Sequence, residues 1–308
     1  MAFRNRTRAI VSAMAIGVCW IAISDRSVIG APIEGTTARG TTAQGTTVET
    51  SLPEEPAPYS PSPLLQRFLD GPMADVEEIV FAVRVPGRDH WYVTFGNYAD
   101  HSPTPAQDKG FKFEEGVYWG YGEGGRLCAK NLRTGELRTI LDDPTGGVRD
   151  PQMHYDGQKI LFSYRPGGTH VFHLYEINID GTELTQLTDG PDDDIEPTYC
   201  PDGRIIFCSS RCRRFVNCWY TRVAALYRCD GDGSNIRMIS SNNDHDNTPW
   251  VLPDGRILYM RWEYVDRSQV HFHHLWTMNP DGTNQVAYFG NMHGGIAMLD
   301  AKPIPGTQ

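Results

Sequence analysis

The sequence predicts an all-β protein: a β-propeller of four-stranded antiparallel blades, about four of them, in an incomplete ring. Three observations predict it. A cassette of Pro, then Asp-Gly five residues later, then an apolar run occurs three times, in "PQMHYDGQKILFS", "PTYCPDGRIIFCS" and "PWVLPDGRILYMR". A second Asp-Gly follows each cassette, at Asp180-Gly181, Asp232-Gly233 and Asp281-Gly282. The first pairs (Asp156, Asp202, Asp254) recur at 46 and 52 residues and the second at 52 and 49, the period of a propeller blade.

Each element follows from local chemistry. Asp-Gly tolerates the positive φ of a tight hairpin, so each pair marks a reversal between antiparallel strands. One unit then holds an inner strand at the Pro, a second strand such as "KILFS", a third such as "HLYEINI" and an outer strand such as "LTQLTD". A divergent unit comes first, with strands expected at 78–84 and 90–99. Its end, "GRLCAKNLRTGELRTILDD", is in register with the next unit, because Gly135 and Gly181 are 46 apart. The blades divide as 76–148, 149–194, 195–246 and 247–300, and residues 301–308, "AKPIPGTQ", open a further one.

Two segments precede the propeller. Residues 1–30 carry Arg4, Arg6 and Arg8 and then the apolar run "AIVSAMAIGVCWIAI", the pattern of a signal peptide or of an uncleaved N-terminal anchor. Residues 31–75 repeat Gly-Thr-Thr and then stack prolines, a composition expected to stay disordered as a linker. The expected localisation is periplasmic or secreted, with membrane contact only through an uncleaved N-terminus. A net charge of −10 argues against nucleic acid, whose affinity comes from Lys and Arg on phosphates.

The cassettes look like the PD40 or TolB-type propeller repeat. Over longer strings, "VRDPQMHYDG", "LFSYRPGGTHVFHLYEINIDGTELTQLTDGPDDDIEPTYCPDG", "DNTPWVLPDGRILYMRWEYVDRSQVHFHHLW" and "DAKPIP" together, the chain resembles the middle propeller domain of hydrazine synthase alpha-subunit-like proteins. That resemblance implies the architecture and an exported, redox-type neighbourhood. The family's haem chemistry lies outside its propeller repeats. A covalent c-type haem needs Cys-x-x-Cys-His, and no such string occurs here, so no cofactor is expected.

Several side-chain groups are candidates for chemistry. Residues leading each cassette Pro lie where one blade's outer strand passes to the next inner strand. Arg149, Asp150, Asp194, Glu196, His245, Asp246 and Asn247 are therefore expected on a common channel rim, binding a ligand or capping strand ends. Arg261, Glu263, Asp266 and Arg267 fit an interblade ion network or a ligand contact equally. Cys212 and Cys218 bracket "RRFVN" and are a disulfide candidate; the alternative is buried thiols packing as small hydrophobes. The cysteine spacings are poor for zinc. His271 and His273 share a strand face and His274 opposes them, which favours packed or solvated histidines over a metal site. "DGPDDDIEP" lacks the spacing of a calcium loop and is expected to be a solvated turn.

No catalytic residue is expected, because Gly-x-Ser-x-Gly, phosphate-loop and His-Glu-x-x-His signatures do not occur. Two functions remain. One is an exported, noncatalytic propeller that binds a partner protein or small ligand on its face. The other is a shortened paralogue of a multidomain haem enzyme, without the haem-bearing part. The glycines of the first turns, Gly157, Gly203 and Gly255, are expected to carry stability. Asp150 and Glu196 are expected to carry binding and little stability.

Overall fold

The computed structural model describes residues 9–12, 58–71, 74–85, 122–217, 222–268, 271–290, 294 and 296–304. Apart from one short helix, its regular elements are strands, arranged in four sheets that follow one another without closing a ring.

The second sheet runs β5 (Gly147–Met153), β6 (Lys159–Arg165), β7 (His173–Asn178) and β8 (Thr185–Gln186). The third is β9 (Asp194–Tyr199), β10 (Ile205–Ser209), β11 (Ala225–Cys229) and β12 (Arg237–Met238). The fourth is β13 (Asp246–Val251), β14 (Ile257–Trp262), β15 (Phe272–Met278) and β16 (Val286–Phe289), and a short β17 (Ile296–Ala297) runs parallel to β15. Every other pairing in these three sheets is antiparallel.

The apolar runs after the first Asp-Gly are continuous because both faces of each second strand are covered. Ile205 and Phe207 pack toward the second sheet with Leu161 and Leu174. Ile206 and Cys208, the alternate residues, pack toward the fourth sheet with Ile257 and Tyr259. In the same way Ile160 and Phe162 meet Val80, Leu127 and Ala129 of the first sheet.

The first sheet departs from the pattern. It holds β2 (Val76–Arg84), β3 (Gly125–Asn131) and β4 (Leu137–Asp143), all antiparallel. Its inner place is taken by β1 (Ala9–Ser12), which runs parallel to β2 and comes from the apolar run assigned above to a signal or anchor. The strand expected at 90–99 lies outside the described residues.

The expected linker is not wholly without structure. Helix α1 (Pro63–Leu69) starts from Ser62, whose side chain accepts the Leu65 N–H, with Pro at the first position. Leu65 and Leu69, one turn apart, pack on Val76, Ile79 and Leu132, so α1 covers part of the far side of the first sheet. Tyr59 adds a hydrogen bond to the Leu132 carbonyl. Two leucines on one helical face supply the apolar burial that composition alone hides. No helix among the described residues is long and apolar enough to cross a membrane.

Candidate functional site

Antiparallel connectivity sorts the connections onto two faces. Both Asp-Gly turns of every unit lie at one end of the strands. At the other end lie the longer connections, including 166–172, 187–193, 210–224, 239–245 and 263–271. Inner strands start at this loop face, which is where the predicted rim residues sit.

At the start of each inner strand the pairing register slips, between Arg149 and Gln152, opposite Ile206–Cys208, and between Asn247 and Trp250. The residue before Pro is left-handed each time: Asp150 at φ 56, Glu196 at φ 53 and Thr248 at φ 52. A bulge with positive φ on a non-glycine residue is uncommon, and it takes a backbone N–H out of the ladder. The preceding sheet supplies the acceptor. Asp150 Oδ2 accepts the Glu196 N–H at 3.1 Å, and Glu196 Oε2 accepts the Thr248 N–H at 2.7 Å. The acid of one cassette thus satisfies the strained residue of the next.

The rest of this network is buried with it. Arg149 pairs with Asp150 and donates to Glu196 Oε1 at 3.1 Å. Ser163 Oγ accepts the Glu196 N–H, and the Cys208 thiol faces Glu196 Oε2 at 3.3 Å. Burial pushes the Glu196 carboxyl up, with Arg149 pulling it back, whereas at Asp150 the Arg149 and Arg84 charges outweigh burial and hold it down. Burial, with Glu196 alongside, drives the Cys208 thiol far above its ordinary range.

The other rim residues are used elsewhere. Asp194 binds Arg211 at 2.9 and 2.5 Å and lies 3.4 Å from His173. Asp246 takes the Arg261 guanidinium in a two-pronged pair, at 2.8 and 3.0 Å. His245 Nδ1 accepts the Ala224 N–H, the same task that Asp193 Oδ1 performs for Phe172 in the preceding sheet. Asn247 Nδ2 reaches Glu196 Oε2 at 3.5 Å. Of the seven, all but Asp150 are buried, and their side chains bond both within and between neighbouring sheets.

Three further groups are placed by the fold. The "DGPDDDIEP" segment is not a solvated turn, because Asp192, Asp193 and Asp194 are buried. Asp192 receives Arg222 at 2.6 Å and Arg213 at 3.2 Å, which offsets the cost of burying its charge. Cys212 is a free thiol, 3.4 Å from the Val223 carbonyl that accepts it, and Cys218 lies outside the described residues. His271 is exposed ahead of β15, while His273 is buried and stacked 5.2 Å from Trp262, so the two do not converge. Arg261 serves the ion network through Asp246, and Glu263 pairs with Arg267 at 3.5 Å. No group of three or more His, Cys, Asp or Glu among the described residues could hold a metal ion.

One buried group was not foreseen. Asp244 is fully buried, and apart from a weak approach by the Tyr264 backbone neither of its oxygens has a hydrogen-bond partner among the described residues. Burial pushes its pKa up to about 6 against weaker pulls from the Tyr264 backbone and the Arg214 charge. In sequence it is one of two acids in "SNNDHDN", and nothing local marks it out.

No family model matches the chain. It is 26% identical over 193 residues to hydrazine synthase subunit alpha of Kuenenia stuttgartiensis, covering 44% of this chain and 23% of that one. It is 29% identical over 143 residues to the uncharacterized protein Atu1656 of Agrobacterium fabrum, covering 46% of each. The chain therefore spans less than half the length of either relative. The solved Kuenenia stuttgartiensis hydrazine synthase superposes with a TM-score of 0.51 at 20% identity, over 69% of this chain and 32% of that one. The putative TolB of Agrobacterium tumefaciens superposes with a TM-score of 0.44. With its unclosed four-sheet array, the chain is a β-propeller that is similar over part of its length to the hydrazine synthase alpha subunit.

Proposed function

We propose that the chain works in an exported compartment as a noncatalytic propeller scaffold that binds a protein partner through its loop face. The observation that carries this is the use of the rim. Groups that looked most like a site spend their hydrogen bonds on one another, across three sheets. Burial also pushes the Cys200 and Cys229 thiols up to about 12 and drives Cys208 well above its ordinary range, which is the wrong direction for a thiolate nucleophile. What the loop face offers to solvent is mixed: Phe215 and Val265 are exposed on adjacent loops, tied by an Asn217 to Tyr264 contact, with the exposed Arg213 beside them. Aromatic and Arg side chains of this kind anchor protein interfaces. The N-terminal basic and apolar run supports the exported compartment.

A test uses paired variants. Phe215→Glu and Val265→Glu alter the loop face, and Tyr155→Glu alters an exposed site at the turn face. Crosslinking in the native host, with quantitative recovery of the same partner, should fail for the loop-face pair and persist for Tyr155→Glu, with melting temperatures alike. Equal recovery from both faces would overturn the assignment. Homology to a hydrazine synthase subunit supports the second reading, a shortened paralogue of a haem enzyme. This chain has no Cys-x-x-Cys-His to bind a covalent haem, so a haem absorption band in the purified protein would be needed to favour it.

A further inference from the structure

The third and fourth units carry an acid at the same place and treat it differently. Asp194 pairs in register with Ser209 and Asp246 with Arg261, so Asp192 and Asp244, each two residues earlier, are equivalent. Both are buried. Asp192 takes Arg222 at 2.6 Å and Arg213 at 3.2 Å, both from the loop that follows β10. In the fourth unit the place of Arg213, four residues after the paired position, is held by Val265. Asp244 thus lacks the guanidinium that its equivalent has, and keeps only the weak approach of the Tyr264 backbone.

A second charge stands nearby without reaching it. The Arg214 charge acts on Asp244, yet no hydrogen bond joins them, and the Arg214 Nη2 is itself buried with no partner among the described residues. Both groups are anchored to one apolar cluster. On the Asp244 side, Asn242 Nδ2 donates to the Trp262 carbonyl at 2.8 Å, and the His245 carbonyl accepts the Trp262 N–H. On the other side, the Arg214 carbonyl accepts the Val223 N–H. Val216, Val223, Met260 and Trp262 pack together, with Tyr264 against them. The cover is thin: Tyr264 is half-buried, and its carbonyl meets Asn217 only at 3.5 Å. Burying opposite charges that do not neutralise each other costs stability, and a group that answers both recovers it.

We propose that Asp244 and Arg214 bind a small zwitterion, a free α-amino acid with an apolar side chain. Asp244 takes its ammonium, the Arg214 Nη2 takes its carboxylate, and the side chain lies against Val216, Val223 and Trp262. A lone cation would be repelled by Arg214 and a lone anion by Asp244, whereas a zwitterion suits both. Asp246, the other charge acting on Asp244, is already held by Arg261. Entry requires the Tyr264 contact with Asn217 to part. The site stands whether or not the loop face also docks a protein.

The full chain is screened by thermal melts at neutral pH against the protein amino acids, and L-leucine is titrated by calorimetry. Apolar amino acids should raise the melt, and L-leucine should bind once per chain. Isocaproate, which lacks the ammonium, and isoamylamine, which lacks the carboxylate, should each bind about tenfold more weakly or worse. Asp244→Asn and Arg214→Gln should each weaken L-leucine by about the same factor. Asp281→Lys, at an exposed turn, should leave it unchanged. The Asp244→Asn chain is expected to fold at least as stably as the parent, so its lost binding is not lost folding. No stabilisation by any apolar amino acid overturns the proposal. Binding that survives either substitution, or that isoamylamine matches, overturns it as well. So does a double-mutant cycle in which the two side chains stabilise each other without ligand, because Asp244 and Arg214 then pair directly.

Discussion

Within one cassette of the third sheet, Glu196 and Gly203 stand seven residues apart and do opposite work. Glu196 looked like a functional side chain at an open rim, and Gly203 looked like the structural pivot. In the fold Glu196 is the buried tie, touching Arg149 of the second sheet and Thr248 of the fourth. Gly203 turns in open space, with no atom within 4 Å of where a Cβ would project. A turn needs only its own chain, so its glycine can be structural and still bear little load. An acid that accepts donors from two other sheets carries the packing of all three.

The largest effect is therefore expected at Glu196. Alanine would remove one of the two acidic partners of the buried Arg149 and leave the Thr248 N–H without its acceptor, costing about 3–5 kcal/mol in urea unfolding. Glutamine should cost less, because its amide oxygen can still take the Thr248 N–H. A loss for alanine within 0.5 kcal/mol or so of zero, the usual range of surface changes, would return Glu196 to the role of an exposed binding residue.

The glycines sharpen the contrast, since the two turns of a unit look alike in sequence. Gly233, in the second turn of the third unit, has φ 83, and a Cβ there would sit 1.9 Å from the Leu187 carbonyl oxygen of the preceding sheet. Gly233→Ala should cost about 2–4 kcal/mol, combining left-handed strain with a backbone shift between sheets. Gly203→Ala, at φ 85 in open space, should cost only about 1–2 kcal/mol. Equal losses in thermal melts would show that the turn alone decides.

These differences mark what a sequence can disclose. The Asp-Gly reversals and the apolar runs between them were legible because each depends on a few adjacent residues. The short helix α1 was read as linker: Ser62, Pro63 and the Leu65–Leu69 spacing carry its signal, but the surrounding prolines masked it. The task of Glu196 was not legible. Its partners lie 47 and 52 residues away, and only the stacking of sheets brings them together. The acids of "PDDD" looked solvated for the same reason: Arg213 and Arg222 reach Asp192 from a loop of the next unit.

If donors are what make a buried acid stabilising, a buried acid without them should behave in the opposite sense, and Asp244 is that acid. Its folded pKa of about 6 lies above its ordinary 3.8. Between those values the folded state holds a proton that the unfolded chain has released, so stability falls as pH rises through this window and is level above it. Asparagine imitates the neutral acid and escapes the loss. Asp244→Asn should match the parent near pH 4 and exceed it by about 1–2 kcal/mol at pH 7–8, a figure reduced for screening by neighbouring solvent. Parallel denaturant titrations at pH 4, 5, 7 and 8 would give the difference directly. A difference constant across that range would mean that the Asp244 charge is not what burial opposes. A variant weaker than the parent at pH 7 would mean that the carboxylate has donors after all, placing it with Glu196 among the ties.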